Sequence, residues 1–207
     1  MNLSHAVKQN SSLSPMLLHW PPSIQGEEEL FFEFCQVNRE LRIERTAQGD
    51  CEIMAPTGGE TGSRNLILAA QLYNWAELEG NGIAFDSSTG YILPNKAIRS
   101  PDASWVKKSR LAVLTPQQKQ RFLPLCPDFV IELRSPSDNL KTLQAKMQEY
   151  IKNGAALGWL IDPETRHVFV YQPEIPPVIL DNPTALLPDR VLMGFKLDLQ
   201  KIWDVPF

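Results

Sequence analysis

Read for the spacing of apolar residues, the chain alternates between stretches with a helical period and stretches with a strand period. GEEELFFEFCQVNRE has acids in its first turn and Phe31 and Phe34 three apart, which predicts a short helix. LRIERTAQ and CEIMAP alternate on either side of Gly49 and Asp50 and predict a hairpin. The Pro and Gly cluster APTGGETG ends that hairpin and launches SRNLILAAQLYNWAELE, the longest helix candidate. GIAFDSSTGYILP predicts strand, turn and strand, and SPDASWVKK a short strand entered through a proline. PQQKQRF has room for a helical turn or two before PDFVIELR, which begins as a buried strand. NLKTLQAKMQEYIKNG predicts a helix, with Ser137 or Asp138 as its N-terminal cap and Gly154 at its end. LGWLIDP and HVFVYQP follow as strands, and a proline-rich tail ends in strand-like FKLDL. Helices and hairpins in this order predict a mixed sheet flanked by helices.

One strand breaks its own pattern. Alternation in PDFVIELR puts Phe129, Ile131 and Leu133 on one face and Asp128, Val130, Glu132 and Arg134 on the other. The plain reading is a Glu132 to Arg134 pair on a partly exposed face. SPDASWV, however, also opens with Pro-Asp and continues as a strand, with Asp102, Ser104 and Val106 sharing a face. If the two strands are neighbours, Asp102 and Glu132 converge, and carboxylates that close repel unless a cation neutralises them. Hard divalent ions such as Mg2+ bind one or two carboxylates plus waters and substrate phosphates, so this pair is a candidate metal seat.

Two further side chains belong to the same picture. In the helix from Asn139 onward, Leu140, Leu143, Met147, Tyr150 and Ile151 form an apolar stripe, and Lys146 lies at its edge beside Tyr150. Its stem could simply cover apolar surface; an ammonium that reached inward would instead orient a nucleophile or stabilise phosphorane-like charge. Glu60 sits at the expected start of the long helix, where a carboxylate suits the exposed N–H groups. A capping role or a place in the metal shell both fit that position.

Composition narrows the alternatives. With 207 residues and 43% hydrophobic content the chain can bury a full core, which predicts one domain over residues 23–207 after a loose polar tail over residues 1–22. The net charge of -4 excludes a global basic footprint for nucleic acid but leaves room for a local one, with Arg99, Lys107, Lys108, Arg110, Arg134 and Lys141 as candidates. Cys35, Cys51 and Cys126 are odd in number and widely spaced, so neither a disulfide framework nor a thiolate zinc site is indicated and a reducing cytoplasm is expected. No stretch approaches the ~20 apolar residues of a membrane span. The three histidines, His5, His19 and His167, support no zinc triad, and GGETG lacks the G-K-[ST] of a phosphate loop.

Taken in order, PTGGETG, SPDASWV, PDFVIELRSPSD, the helix with AKMQEY and GWLIDP resemble the Uma2 family of endonucleases, part of the PD-(D/E)XK nuclease superfamily. The resemblance covers roughly Ile24 to Leu199. It implies an α/β (α+β) fold: a restriction-endonuclease-like mixed β-sheet flanked by helices, with an N-terminal helix and β-hairpin as additions. It makes Asp102 the Asp of the PD motif, Glu132 the acid of the (D/E)XK motif, Lys146 the lysine supplied from the next helix, and Glu60 the acid of the early helix. Arg134 stands where the superfamily's usual lysine would be; always protonated, it cannot act as a base but could contact phosphate. The implied function is a Mg2+- or Mn2+-dependent endodeoxyribonuclease with Asp102, Glu132 and Glu60 toward the metal, nucleic acid (DNA first) as partner, and a homodimer as a compatible assembly. The rival reading is a non-catalytic nuclease fold that binds DNA or a protein partner.

Overall fold

A computed structural model describes residues 16–18, 28–188 and 190–206. In chain order its elements are β1 (Met16–Leu18), α1 (Glu28–Val37), β2 (Arg42–Arg45), β3 (Cys51–Met54), α2 (Gly59–Glu79), β4 (Gly82–Asp86), β5 (Tyr91–Ile92) and β6 (Ile98–Arg99). There follow β7 (Ala103–Lys107), α3 (Lys108–Ala112), α4 (Pro116–Lys119), β8 (Phe129–Leu133), α5 (Leu140–Lys152), β9 (Leu157–Asp162) and β10 (His167–Tyr171). The chain closes with β11 (Val178–Asp181), β12 (Ala185–Leu186), β13 (Leu197–Asp198) and α6 (Gln200–Trp203). Of the expected N-terminal tail, residues 1–15 and 19–22 lie outside the described residues; Met16–Leu18 add an antiparallel strand to β3.

The main sheet has the order β11-β10-β9-β8-β7-β4. Its β8 and β9 are parallel, as they must be when a helix, here α5, carries the chain back across the sheet, and the other neighbours are antiparallel. A smaller sheet, β1-β3-β2-β6-β5, stands beside it. The architecture is therefore a mixed α+β fold with a mixed central sheet. GIAFDSSTGYILP forms strand, turn and strand as expected, and its two strands go to different sheets. β4 joins β7 in the main sheet and β5 joins β6 in the smaller one. The turn that divides them is built on Asp86, whose Oδ1 accepts from the Ser88 N–H and hydroxyl, a side-chain turn that needs no strand pairing to hold it.

The centre of the sheet is buried on both faces, so all five residues of β8 are inaccessible. On one face Phe129, Ile131 and Leu133 pack with Trp105, Trp159, Leu68 and Leu72 of α2, and Phe195. Phe129 meets Trp159 edge to face at 4.8 Å between centroids, and Trp159 stacks near-parallel on Phe195 at 6.0 Å, contacts worth about 0.5–1.5 kcal/mol each beyond area burial. On the other face Val130 joins Met147 and Tyr150 of α5, Leu160 and Tyr91. Gly158 on β9 permits the close approach of α5, since a Cβ there would fall 2.5 Å from Met147 Cε.

Helix α5 starts one residue later than an Asp138 cap implies and two later than a Ser137 cap. Asn139 is the cap, its Oδ1 accepting from the N–H groups of Lys141 and Thr142. Asp138 is already committed to a tight turn, accepting from the Ser135 N–H at 2.8 Å. The left-handed Gly154 (φ 109°) lies just past the helix end.

Candidate active site

Strands β7 and β8 pair antiparallel, with Ala103 opposite Ile131 and Ser104 opposite Val130. Carried one residue further, this register sets Asp102 across from Glu132. Both are buried, Asp102 at 9% and Glu132 at 3% exposure. Asp102 accepts from the Leu133 N–H at 2.8 Å through Oδ2, while its Oδ1 faces Arg42 Nη1 and Asn65 Nδ2, each at 3.5 Å. The two strands are thus tied through the acid itself.

Lys146 reaches inward from α5. Its ammonium lies 2.9 Å from Glu132 Oε1 and 2.9 Å from Glu44 Oε1, with the side chain only 11% exposed. The Tyr150 hydroxyl, one turn further along the same helix face, donates to Glu132 Oε1 at 3.0 Å. Glu44 comes from β2 in the smaller sheet. It also accepts from the Ser100 N–H at 2.9 Å and pairs through Oε2 with Arg99 at 3.1 Å. Arg99 in turn holds Glu52 and Glu149. The result is a continuous buried network that ties the hairpin, the central strands and α5.

Its charges are unevenly matched. Among the described residues, Glu44, Glu52, Asp102, Glu132 and Glu149 pair with three cations, Arg42, Arg99 and Lys146. Burial raises the Glu132 carboxyl, Lys146 opposes that, and the neighbouring Asp102 and Glu44 add to it, leaving the group at about 7. Burial also raises Asp102, only partly offset by Arg42 and the Leu133 N–H. Glu44 behaves differently: burial opposes its ionisation, but Lys146 and Arg99 overcome it and the carboxyl is lowered. Burial pulls Lys146 down, yet Glu132 and Glu44 outweigh this and it is raised, so the amine is held protonated. Lys146 is shared between Glu44 and Glu132 at 2.9 Å each, and the carboxyls that burial holds up are those of Asp102 and Glu132.

Two buried polar atoms beside that pair are left without a hydrogen bond, the acceptor Asn65 Oδ1 and the donor Arg42 Nε. Asn65 sits on α2, and Arg42 also donates to the Ser100 carbonyl at 2.7 Å through Nη2. Among the described residues no three His, Cys, Asp or Glu side chains form a ready-made metal cluster. A hard cation here would take its protein ligands from the two acids and the amide oxygen. Excess negative charge and an orphaned oxygen acceptor fit a Mg2+-type ion, which prefers few carboxylates and keeps several waters.

Residues 28–200 match the sequence model of Uma2, described as "Putative restriction endonuclease". The chain belongs to the Uma2 family. It is similar in fold to the crystal structure of a "putative nuclease belonging to DUF820" from Anabaena variabilis ATCC 29413, with a TM-score of 0.67 and 22% identity over 79% of this chain and 90% of that one. Among curated proteins none matches the chain.

In this Uma2 protein the structure brings Asp102, Glu132 and Lys146 together and leaves two candidates aside. Glu60 is in the first turn of α2, as expected, but its side chain is 63% exposed and pairs with Arg64 at 3.1 Å. Arg134 does not pair with Glu132; it holds the buried Asp162 at 2.8 Å and Glu164 at 3.2 Å. Arg99 and Arg110 are likewise engaged by carboxylates rather than free for phosphate. Glu44, Arg42 and Asn65 are the site residues that sequence reasoning missed. The alternation of RIER puts Arg42 and Glu44 on one strand face, the same signal that exposes Glu132, whereas nothing in the pattern of α2 distinguishes Asn65.

Proposed function

We propose that this Uma2 protein is a divalent-metal-dependent nuclease that hydrolyses phosphodiester bonds, with DNA as the first substrate to test. Asp102, Glu132 and the Asn65 amide oxygen are the protein ligands for one Mg2+ or Mn2+. The single observation that carries this reading is the pair of buried acids short of positive charge beside an unsatisfied oxygen acceptor. When bound, the ion supplies Lewis-acid charge to the phosphate and makes a water more acidic.

The chain's own residues divide the remaining work. Asp102, fixed by the Leu133 N–H, and Glu132, fixed by Tyr150, present carboxylates that cannot rotate away. Lys146 is protonated, so its role is to donate to charge that builds on the phosphate oxygens, not to take a proton from water. Glu44 positions that ammonium from the far side. Arg42, with an unused buried donor beside Asp102, suits a phosphate oxygen. In the hydrolysis the water oxygen forms a new P–O bond as the ester P–O bond breaks, and one of that water's protons ends on the departing oxygen.

The test is cleavage of supercoiled, linear duplex and single-stranded DNA, and of RNA, with Mg2+ or Mn2+, by the wild type and by Asp102→Asn and Glu132→Gln. Metal-dependent cutting that both substitutions abolish is the expected result. Binding of nucleic acid without cutting on any substrate, unchanged by either substitution, would sink the enzymatic reading and leave a non-catalytic module.

A further inference from the structure

The main sheet ends in two strands that are protected unequally. β11 is entered through Pro176 and Pro177, which have no N–H to offer a further strand. β4, at the opposite end, reads Gly-Ile-Ala-Phe-Asp, without proline or lysine, and among the described residues no strand pairs with its outer edge. The Lys108 N–H donates to the Asn81 carbonyl at 2.8 Å. With Gly82 set across from Lys107, this turns the backbone groups of Ile83 and Phe85 toward β7 and those of Gly82, Ala84 and Asp86 outward. Such an edge is a template for another strand.

A second feature lies on the same side of the molecule. Helix α2 packs on β4 and β7 of the main sheet and buries Leu68, Leu72 and Ala76. One of its flanks is held by the C-terminal segment: Arg64, Gln71 and Trp75 donate to the carbonyls of Ile202, Asp198 and Met193. That segment covers β8, β9 and β10, so the opposite flank faces outward over the β4 edge. At ~100° per residue this flank carries Leu66, Ala70 and Tyr73, with Leu66 71% and Tyr73 54% exposed. No charged residue stands between Arg64 and Glu77. A helix that is apolar around most of its surface is normally a covered one.

We propose that a second copy of this chain covers this side, β4 pairing antiparallel with its twin about a twofold axis at Ala84 while α2 packs on its twin. The register follows from the outward groups. An axis at Ala84 pairs Ala84 with itself and Gly82 with Asp86, which engages all three outward residues, and sets Ile83, 41% exposed, beside the partner subunit's Phe85. Like charges do not meet in this register. The axis runs perpendicular to the sheet and keeps both helices on one face. Measured from the Gly80 turn, Ala84 lies roughly 14 Å along the strand and Ala70 roughly 15 Å along the helix, so one axis serves both layers. The antiparallel helices then set Leu66 against the partner subunit's Tyr73, with the small Ala69 and Ala70 at the crossing. Strand edge and helix flank together present roughly 500 Å² on each copy, so the pair buries about 1,000 Å², the low end for a specific interface and suited to a reversible dimer. The proposal uses no property of the acidic cluster and is independent of the nuclease reading.

The experiment is analytical ultracentrifugation of the full-length protein from about 1 to 100 μM. The expected result is a reversible passage from the 23.4 kDa monomer to a species of twice that mass. Leu66→Lys/Tyr73→Lys and Leu66→Glu/Tyr73→Glu, at exposed positions, should each weaken self-association at least about a hundredfold by setting like charges across the axis, and mixing the two proteins should restore a one-to-one heterodimer. Ala84→Pro, which removes an outward N–H and none that serves β7, should weaken it as well, and Ile179→Lys on β11 should leave it unchanged. A monomer throughout the range overturns the proposal. So does a dimer that both α2 variants retain, or one that Ile179→Lys dissociates.

Discussion

The two faces of the central strand β8 are built on opposite principles. Phe129, Ile131 and Leu133 look into a dry aromatic layer with Trp159, Phe195 and α2. One residue out of phase, Glu132 looks into a buried lattice of ions with Lys146, Glu44 and Tyr150. The apolar face stabilises the fold by burial and dispersion. The ionic face works against it, because desolvation pushes both Asp102 and Glu132 toward their neutral forms. A core alone would be served by valine or leucine at these positions, and the cation proposed above would offset the cost of keeping carboxylates there.

That contrast can be broken most sharply by activity. Asp102→Asn or Glu132→Gln is expected to lower metal-dependent cleavage at least about a thousandfold, roughly 4 kcal/mol of transition-state stabilisation, while Ile131→Val on the other face leaves cleavage intact. Rates on a single plasmid substrate decide this. Stability should show the reverse. Trp159→Ala should cost about 3–5 kcal/mol in denaturant unfolding, whereas Glu132→Gln at pH 8 should cost nothing or stabilise.

Lys146→Met should destabilise by about 3 kcal/mol because it strands Glu44 and Glu132 together in the interior. Adding Glu44→Gln should return part of that loss, and a double-mutant cycle measures the coupling.

The pH dependence follows from the sign of one shift. Glu132 titrates at about 7 in the folded protein against 4.5 for the ordinary side chain. A raised carboxyl contributes stability that is complete below pH 4.5 and is lost as pH rises through 7. Metal-free wild type should therefore lose on the order of 2–3 kcal/mol relative to Glu132→Gln between pH 4.5 and pH 8, and Mn2+ should restore it at pH 8. A difference between the two proteins that stays flat across this range would contradict the assignment. The smallest effect expected is about 1 kcal/mol for Asn139→Ala, loss of the α5 cap, with cleavage unchanged.

How much of this was legible in the sequence depended on the range of the interaction. The alternation of PDFVIELR separated Phe129, Ile131 and Leu133 from Glu132, and the stripe on α5 placed Lys146 at its edge, because both are local periodicities. The convergence of Asp102 with Glu132 needed the pairing of β7 with β8, which no spacing encodes. Glu44 was hidden for the same reason: its charge was visible in RIER, but its partner Lys146 lies 102 positions away. Among Ser137, Asp138 and Asn139 three good caps compete, and only the turn that consumes Asp138 leaves the task to Asn139. The strand that follows Asp86 could be seen, but not that it would leave for the smaller sheet.

The most direct test of the central claim is calorimetric titration of Mn2+ into the metal-free wild type, Asp102→Asn and Glu132→Gln at pH 7.5. The account predicts one saturable site in the wild type and its loss in both variants, each still cooperatively folded. Absence of binding in the wild type, or binding that survives both substitutions, would contradict the claim that these buried acids are a metal seat.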